Sequence, residues 1–234
     1  MKGMLLGADP EFVFQKSGSV FVPANSVLRG GDFGYDGHAA TGELRPEAAP
    51  SALKLTANIR ALLTDGWKNE ILQDLEMLAG HYKHRNTIGG HIHISGFEMD
   101  MPVLSAHLDV VLGRLSDCID HLDERKTRRG AGYGSGYRSQ NENWIEYRAP
   151  GSWLLSPQVT FIHLWLAEAV SQTYASGKAE LIQVVKKHEA CEGIMQFAVL
   201  MTDVPDQEIF LKVADKVFSQ LPLNWNEDMK ANWS

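Results

Sequence analysis

Cysteine is almost missing from this sequence: Cys118 and Cys191 are the only two in 234 residues. Their spacing suits no metal site and sets up no disulfide framework, so a reducing compartment is the simplest setting. Long apolar runs are missing as well. The stretch from Met1 to Asp9 lacks the apolar core of a signal peptide, and no segment approaches the length of a membrane span. Basic charge is also short, with Lys+Arg at 22 against Asp+Glu at 29 and a net charge of −7, which argues against a broad electrostatic grip on nucleic acid. The expectation is a soluble, cytoplasmic protein with no membrane or nucleic-acid partner. No internal repeat or low-complexity segment interrupts it, and a hydrophobic content of 44% is enough for a sizeable core.

Against that background, Gly89-Gly90-His91-Ile92-His93-Ile94-Ser95 stands out. Read as a strand, it sends His91, His93 and Ser95 to one face and Ile92 and Ile94 to the other. Alone, this fits an ordinary half-exposed strand as well as a metal or phosphate site. Three more stretches repeat the design. Residues 3 to 22 read as two strands joined by the turn Lys16-Ser17-Gly18-Ser19, and in the first of them Asp9 and Glu11 share a face opposite Phe12 and Phe14. Neighbouring carboxylates repel and call for a cation or a basic partner, unless the strand is a solvated edge. A glycine-rich loop over residues 29 to 42 carries Asp32, Asp36 and His38 into Gly42-Glu43-Leu44-Arg45-Pro46. There Glu43 and Arg45 share a face, as site residues or as a plain surface ion pair. In Trp144-Ile145-Glu146-Tyr147-Arg148, Glu146 and Arg148 face one way.

Between these strands the spacing predicts a helix from Pro50-Ser51 to near Gly66 and a helix-like run over 68–79, with strand left open there. The clearest helix is expected over 102–126, with Pro102 in its first turn. His107 and His121 on it read as surface or packed residues. Thr127 to Arg138, combining glycines, arginines and tyrosines, reads as a mobile loop able to wrap an anionic ligand, or as a linker. Further helices are expected at about 157–175, 178–190, 192–201 and 206–219, with packing as their role.

If the four patterned strands share a sheet face, its carboxylates cannot all stay ionised without divalent cations. Oxygen-rich ligation with few nitrogens favours Mg²⁺ or Mn²⁺ over structural zinc. Arginines beside such a site bind phosphate or carboxylate bidentately, a combination suited to phosphoryl transfer.

Gly7-Ala8-Asp9-Pro10-Glu11-Phe12-Val13-Phe14, the His-x-His strand and Ile145-Glu146-Tyr147-Arg148 resemble, in order, the acidic, His-x-His and Glu-x-Arg strands of the glutamine synthetase and glutamate–cysteine ligase superfamily. With Glu43-Leu44-Arg45-Pro46 after an Asp-Gly loop, the chain more closely resembles the phage-type carboxylate–amine ligases of that superfamily. The resemblance implies an α+β fold: a curved, mainly antiparallel sheet with helices packed on its outer face and a helical C-terminal part. It implies a single domain over 1–234, with motifs in 5–155 and helices in 156–234. It further implies one metal held by Glu11, Asp36 and Glu43 and a second held by Asp9, His91 and Glu146. His93 and Ser95 would lie near ATP, with Arg45 beside them, and Arg138 and Arg148 would contact the transferred phosphate or the substrate carboxylate. The implied reaction joins a small-molecule or peptide carboxylate to an amine through an acyl phosphate, using ATP and Mg²⁺ or Mn²⁺, in the host cytoplasm if the gene is a phage's.

Three departures stand beside this. Asp9 replaces the glutamate usual in the synthetases, and His38 rivals Asp36 as a ligand. The synthetases' small N-terminal domain has no counterpart, so a homo-oligomer stays open. The competing readings are a divalent-metal hydrolase, which the scarcity of histidines and surplus of arginines disfavour, and a non-catalytic nucleotide- or ligand-binding protein of the same fold.

Overall fold

The computed structural model describes every residue except 1, 2, 18, 38, 39 and 135, and the side chain of Gln140. Gly18 of the expected turn and Ser135 of the expected loop therefore lie outside the described residues. In chain order the strands are β1 Leu5–Lys16, β2 Val20–Val22, β3 Phe33–Tyr35, β4 Gly42–Leu44, β5 Glu76–Leu78, β6 Tyr82–Lys83, β7 Asn86–Thr87, β8 Gly90–Ser95, β9 Tyr137–Asn141 and β10 Trp144–Tyr147. The helices are α1 Ala52–Gly66, α2 Met101–Ile119, α3 Leu122–Gly130, α4 Pro157–Ala175, α5 Ala190–Leu200, α6 Gln207–Phe218 and α7 Met229–Trp233.

Alternation of polar and apolar residues makes β1 the organising strand. Its first half pairs β8, its middle β4, and its second half β2 and β5. The sheet runs β3-β4-β1-β8-β10-β9, and every strand pair among the described residues is antiparallel. Leu6, Ala8, Phe12, Ile92, Ile94, Ile145 and Tyr147 form the buried face. Each fully buried large apolar side chain there contributes roughly 1.5–3 kcal/mol. Helices α1, α2 and α4 pack against that face, which leaves the opposite, polar face free. This is the α+β arrangement expected from the sequence. No helix among the described residues is long and apolar enough to cross a membrane.

Helix α4 is buried almost all round because both α1 and α2 lie against it. Ser51 and Asp100 cap α1 and α2, each side chain accepting from the backbone N–H three residues on. The α1 start is also capped from a distance: Glu168 of α4 accepts the Ala52 N–H at 2.8 Å. Burial pushes the Glu168 carboxyl up to about 7 from its ordinary 4.5. The folded chain therefore holds this proton where the unfolded chain releases it. Stability from Glu168 falls as pH rises between those values, by roughly 3 kcal/mol in all. His163, which burial depresses to about 4, has the opposite slope, so the readout is a difference. Relative to wild type, Glu168→Gln should gain in urea midpoint on going from pH 5 to pH 8; parallel shifts in the two proteins would refute the assignment.

Four expectations are corrected. The helix over 102–126 is two helices, broken at Asp120, whose extended backbone (ψ 152°) turns its carboxylate inward onto His81 at 2.7 Å. A buried side-chain hydrogen bond overrides local helix propensity here. The helix-like run over 68–79 is a 3₁₀ turn at Glu70–Leu72 followed by β5, where the Met77 N–H is held by Asp228. The stretch at 178–190 is 3₁₀ over Ala179–Lys187. The loop expected from 127 starts later, because α3 continues to Gly130. Helix α7 and the β6–β7 hairpin had no counterpart in the sequence reading.

Candidate active site

Cross-strand register lays the polar face out in rows. Asp9 faces His91 across β1 and β8, and His93 faces Glu146 across β8 and β10, which in turn faces Arg138 on β9. Glu11 faces Glu43 on the other side of β1. Directly opposed residues of antiparallel strands share a face, so these side chains converge without help from any loop.

The tightest convergence surrounds Asp9. Its Oδ1 lies 3.2 Å from His91 Nδ1 and 3.2 Å from His93 Nε2, while Glu146 Oε1 lies 3.5 Å from His91 Nδ1 and 3.2 Å from Arg148 Nε. Burial works to raise the Asp9 pKa, but the two imidazoles outweigh it and hold the carboxyl well below the usual carboxylate range. Asp9 Oδ1 and His93 Nε2 are buried without an aligned hydrogen bond, and one ligand atom from each of Asp9, His93 and Glu146 lies within 4.8 Å of the others. Orphaned acceptors at that spacing suit a cation. Two carboxylate oxygens and one imidazole nitrogen fit Mg²⁺ or Mn²⁺. The sequence reading gave His91 to the metal and His93 to the nucleotide. In the structure both imidazoles meet these carboxylates: His91 Nδ1 reaches both Asp9 and Glu146, while His93 Nε2 reaches Asp9 and shares the 4.8 Å group with Glu146.

Glu11, Asp36 and Glu43 join Asp9, His91 and Glu146 around one cavity of about 700 Å³. One Glu11 oxygen accepts the Gly89 N–H at 2.6 Å, and burial raises its pKa, with Asp36 adding to the rise. Glu43 is pushed up to about 8, first by burial and then by the charge of Asp9, with Arg45 opposing. Carboxylates this reluctant to ionise together are relieved by a divalent cation among them. Arg45 itself clasps Glu43 and the Gly31 carbonyl at 2.7 Å, and neither it nor Ser95 lines the cavity. Ser95 sits at the end of β8 between Leu5 and Trp144, whose indole flanks His93 at 5.2 Å between ring centroids. His38 lies outside the described residues.

Arg138 and Arg148 line the cavity together with Arg128 and Tyr133, from the stretch read as able to wrap an anion, and with Tyr82, Arg85, Asn86 and Thr87, which the sequence reading did not place there. Arg128 is 2% exposed, gives Nη1 to the Ala149 carbonyl at 2.8 Å and Nη2 to that of Arg148 at 3.3 Å, and leaves Nε unpaired. Burial brings its pKa down to about 10. Nothing in Arg128-Arg129 alone separates the buried arginine from its exposed neighbour; the C-terminal turn of α3 does.

A family model described as phage phiEco32-like COOH.NH2 ligase-type 2 matches residues 6–197. The chain belongs to this family. It is a family of carboxylate–amine ligases, and the matched span holds every residue that lines the acidic cavity. Among solved structures, apo GmaS without ligand is similar at a TM-score of 0.51 and 13% identity, over 95% of this chain and 71% of that one. PafA, from the crystal structure of the complex between prokaryotic ubiquitin-like protein Pup and its ligase PafA, matches at 0.61 and 9%, over 93% and 64%. A bifunctional glutathione synthetase from Pasteurella multocida matches at 0.56 and 8%, over 99% and 48%. At such identities the likeness establishes the fold alone, and the chain spans just under two-thirds of the PafA chain and about half of the glutathione synthetase. None of the curated proteins matches the sequence.

Proposed function

We propose that this family member is an ATP-dependent ligase that activates a carboxylate as an acyl phosphate and passes the acyl group to an amine. The observation that carries the reading is the unsatisfied pair Asp9 Oδ1 and His93 Nε2, buried beside Glu146 at the edge of a cavity that holds further acids and arginines. A divalent cation held by Asp9, His93 and Glu146, with a second near Glu11, Asp36 and Glu43, would neutralise phosphate charge during transfer. The chain's own groups supply the rest. Arg148, oriented by Glu146, and Arg138, opposite Glu146 across β9 and β10, offer planar donors to the transferred phosphate or the reacting carboxylate. His91, fixed between Asp9 and Glu146, holds those two carboxylates in place. Ser95 would lie toward the nucleotide at the end of β8, opposite Trp144, whose indole flanks His93.

The test is ADP release with Mg²⁺ over a panel of carboxylates and amines. Release that needs both substrates, with one amide formed per ADP, supports the ligase. Cleavage of a substrate without ATP, or no nucleotide binding by calorimetry, refutes it in favour of a hydrolase or a binding protein respectively.

A further inference from the structure

The β6–β7 hairpin is a two-residue turn, with Lys83 paired to Asn86 and both central residues left-handed: His84 at φ 49° and Arg85 at φ 66°. Such a turn strongly favours Asn-Gly, because a Cβ is disfavoured at positive φ. His-Arg is a costly choice, yet the turn is held firmly. Lys83 Nζ donates to Glu124 at 2.5 Å and to Asn226 at 2.8 Å, His84 Nε2 meets Gln15 Oε1 at 2.7 Å, and Asn86 closes on the His84 carbonyl. What the turn presents is Arg85, on the wall of the acidic cavity.

Four arginines line that cavity. Arg128 is committed to backbone carbonyls and Arg148 to Glu146. Among the described residues, Arg85 and Arg138 have no hydrogen-bonding or ionic partner. Arg138 stands in the row of His93 and Glu146. Arg85 belongs to the other end, since the hairpin leads through Ile88, whose N–H bonds the His81 carbonyl, directly into Gly89 beside Glu11. At the usual strand rise, the run from Gly89 to Ser95 spans about 20 Å. The acidic cluster lies between the nucleotide end at Ser95 and this one.

We propose that the β6–β7 hairpin is a substrate-recognition device in which Arg85 binds a second anionic group, carboxylate or phosphate, on the substrate whose carboxylate is activated. Strain at a functional position persists where the surroundings over-determine it, and here Lys83, His84 and Asn86 do so. The inference rests on the ligase reading for which substrate is bound, but its geometry does not depend on catalysis.

The experiment is calorimetry with Mg²⁺ and a non-hydrolysable ATP analogue, using glutarate, 3-phosphonopropionate and butyrate as probes. A charge-assisted contact predicts that wild type binds one or both of the doubly anionic probes about tenfold or more tightly than butyrate, and the better of the two names the group. Arg85→Ala should bring that ratio toward unity, and Arg85→Lys should keep part of it, having the charge without the fork. Arg85→Asn, which tolerates a left-handed φ, should melt no lower than wild type and still lose the preference. No preference in wild type, a preference surviving in Arg85→Ala, or a loss confined to the nucleotide analogue would overturn the proposal. A preference retained by a protein that forms no ADP with any carboxylate–amine pair would leave the recognition device standing and remove the ligase reading.

Discussion

Glu146→Gln is expected to lower ADP release by at least about a hundredfold while leaving the melting temperature close to wild type. The residue is 7% exposed and sits where three functions meet: an oxygen within 4.8 Å of the Asp9 and His93 donor atoms, a contact to His91, and the ion pair that orients Arg148. Glutamine keeps the shape and one acceptor oxygen but removes the charge. A cation would lose one of its anionic ligands, and Arg148 would lose the partner that aims it. Relief of carboxylate crowding next to Asp9 offsets any packing loss, so the fold should survive. An Mg²⁺ titration separates the two losses. Recovery at high Mg²⁺ would assign the defect to metal affinity, whereas a rate that stays low at saturation would assign it to the transition state. Wild-type rates in a folded variant would take Glu146 out of the site.

Gly90→Ala is expected to cost about 2–3 kcal/mol or more of stability, with a matching fall in urea midpoint at unchanged slope. A Cβ at this position would lie 2.3 Å from the Gly151 carbonyl oxygen and 2.5 Å from the Trp153 indole, and the Gly90 carbonyl accepts the Trp153 Nε1–H. Backbone on one side and a fully buried tryptophan on the other leave nothing that can yield. Gly89→Ala makes the contrasting case. Its Cβ would come 2.4 Å from His91 Nε2, the far end of a ring that can rotate away, so the loss should fall on activity and less on stability. Equal urea midpoints for Gly90→Ala and wild type would refute the steric account. The two glycines ahead of His-x-His thus serve different ends, one the position of an imidazole and the other the packing of the core.

The site's rows were legible because a strand's period of two is written directly into the residues: Asp9 and Glu11, His91 and His93, Glu146 and Arg148 each skip one apolar neighbour. That both imidazoles reach the carboxylates was not. It depends on register between strands far apart in sequence, which sets Asp9 opposite His91 and Glu146 opposite His93. The break at Asp120 was hidden for a similar reason, since its cause, His81, lies on another element. The hairpin at residues 82–87 carries no glycine, proline or aspartate at its turn, so no local signal marks it; tertiary anchors fold it against preference. That Arg128 and Glu168 are buried was missed, because burial of a single charge depends on what packs over it.

The anchors on the hairpin and on β5 have one further consequence. Asn226 holds Lys83, Asp228 holds the Met77 N–H, Trp225 donates to the Ile119 carbonyl and Trp233 to that of Leu154. Each contact joins the end of the described chain to a segment made much earlier in synthesis. During translation, β1, β4, β8 and β10 can assemble their rows well before these late residues emerge, but the wall that carries Arg85 lacks its Asn226 anchor until they do. A nascent chain on the ribosome would therefore have the strands of its acidic cluster in place before residues 225–233 emerge to tie down β5, the hairpin and the core around them.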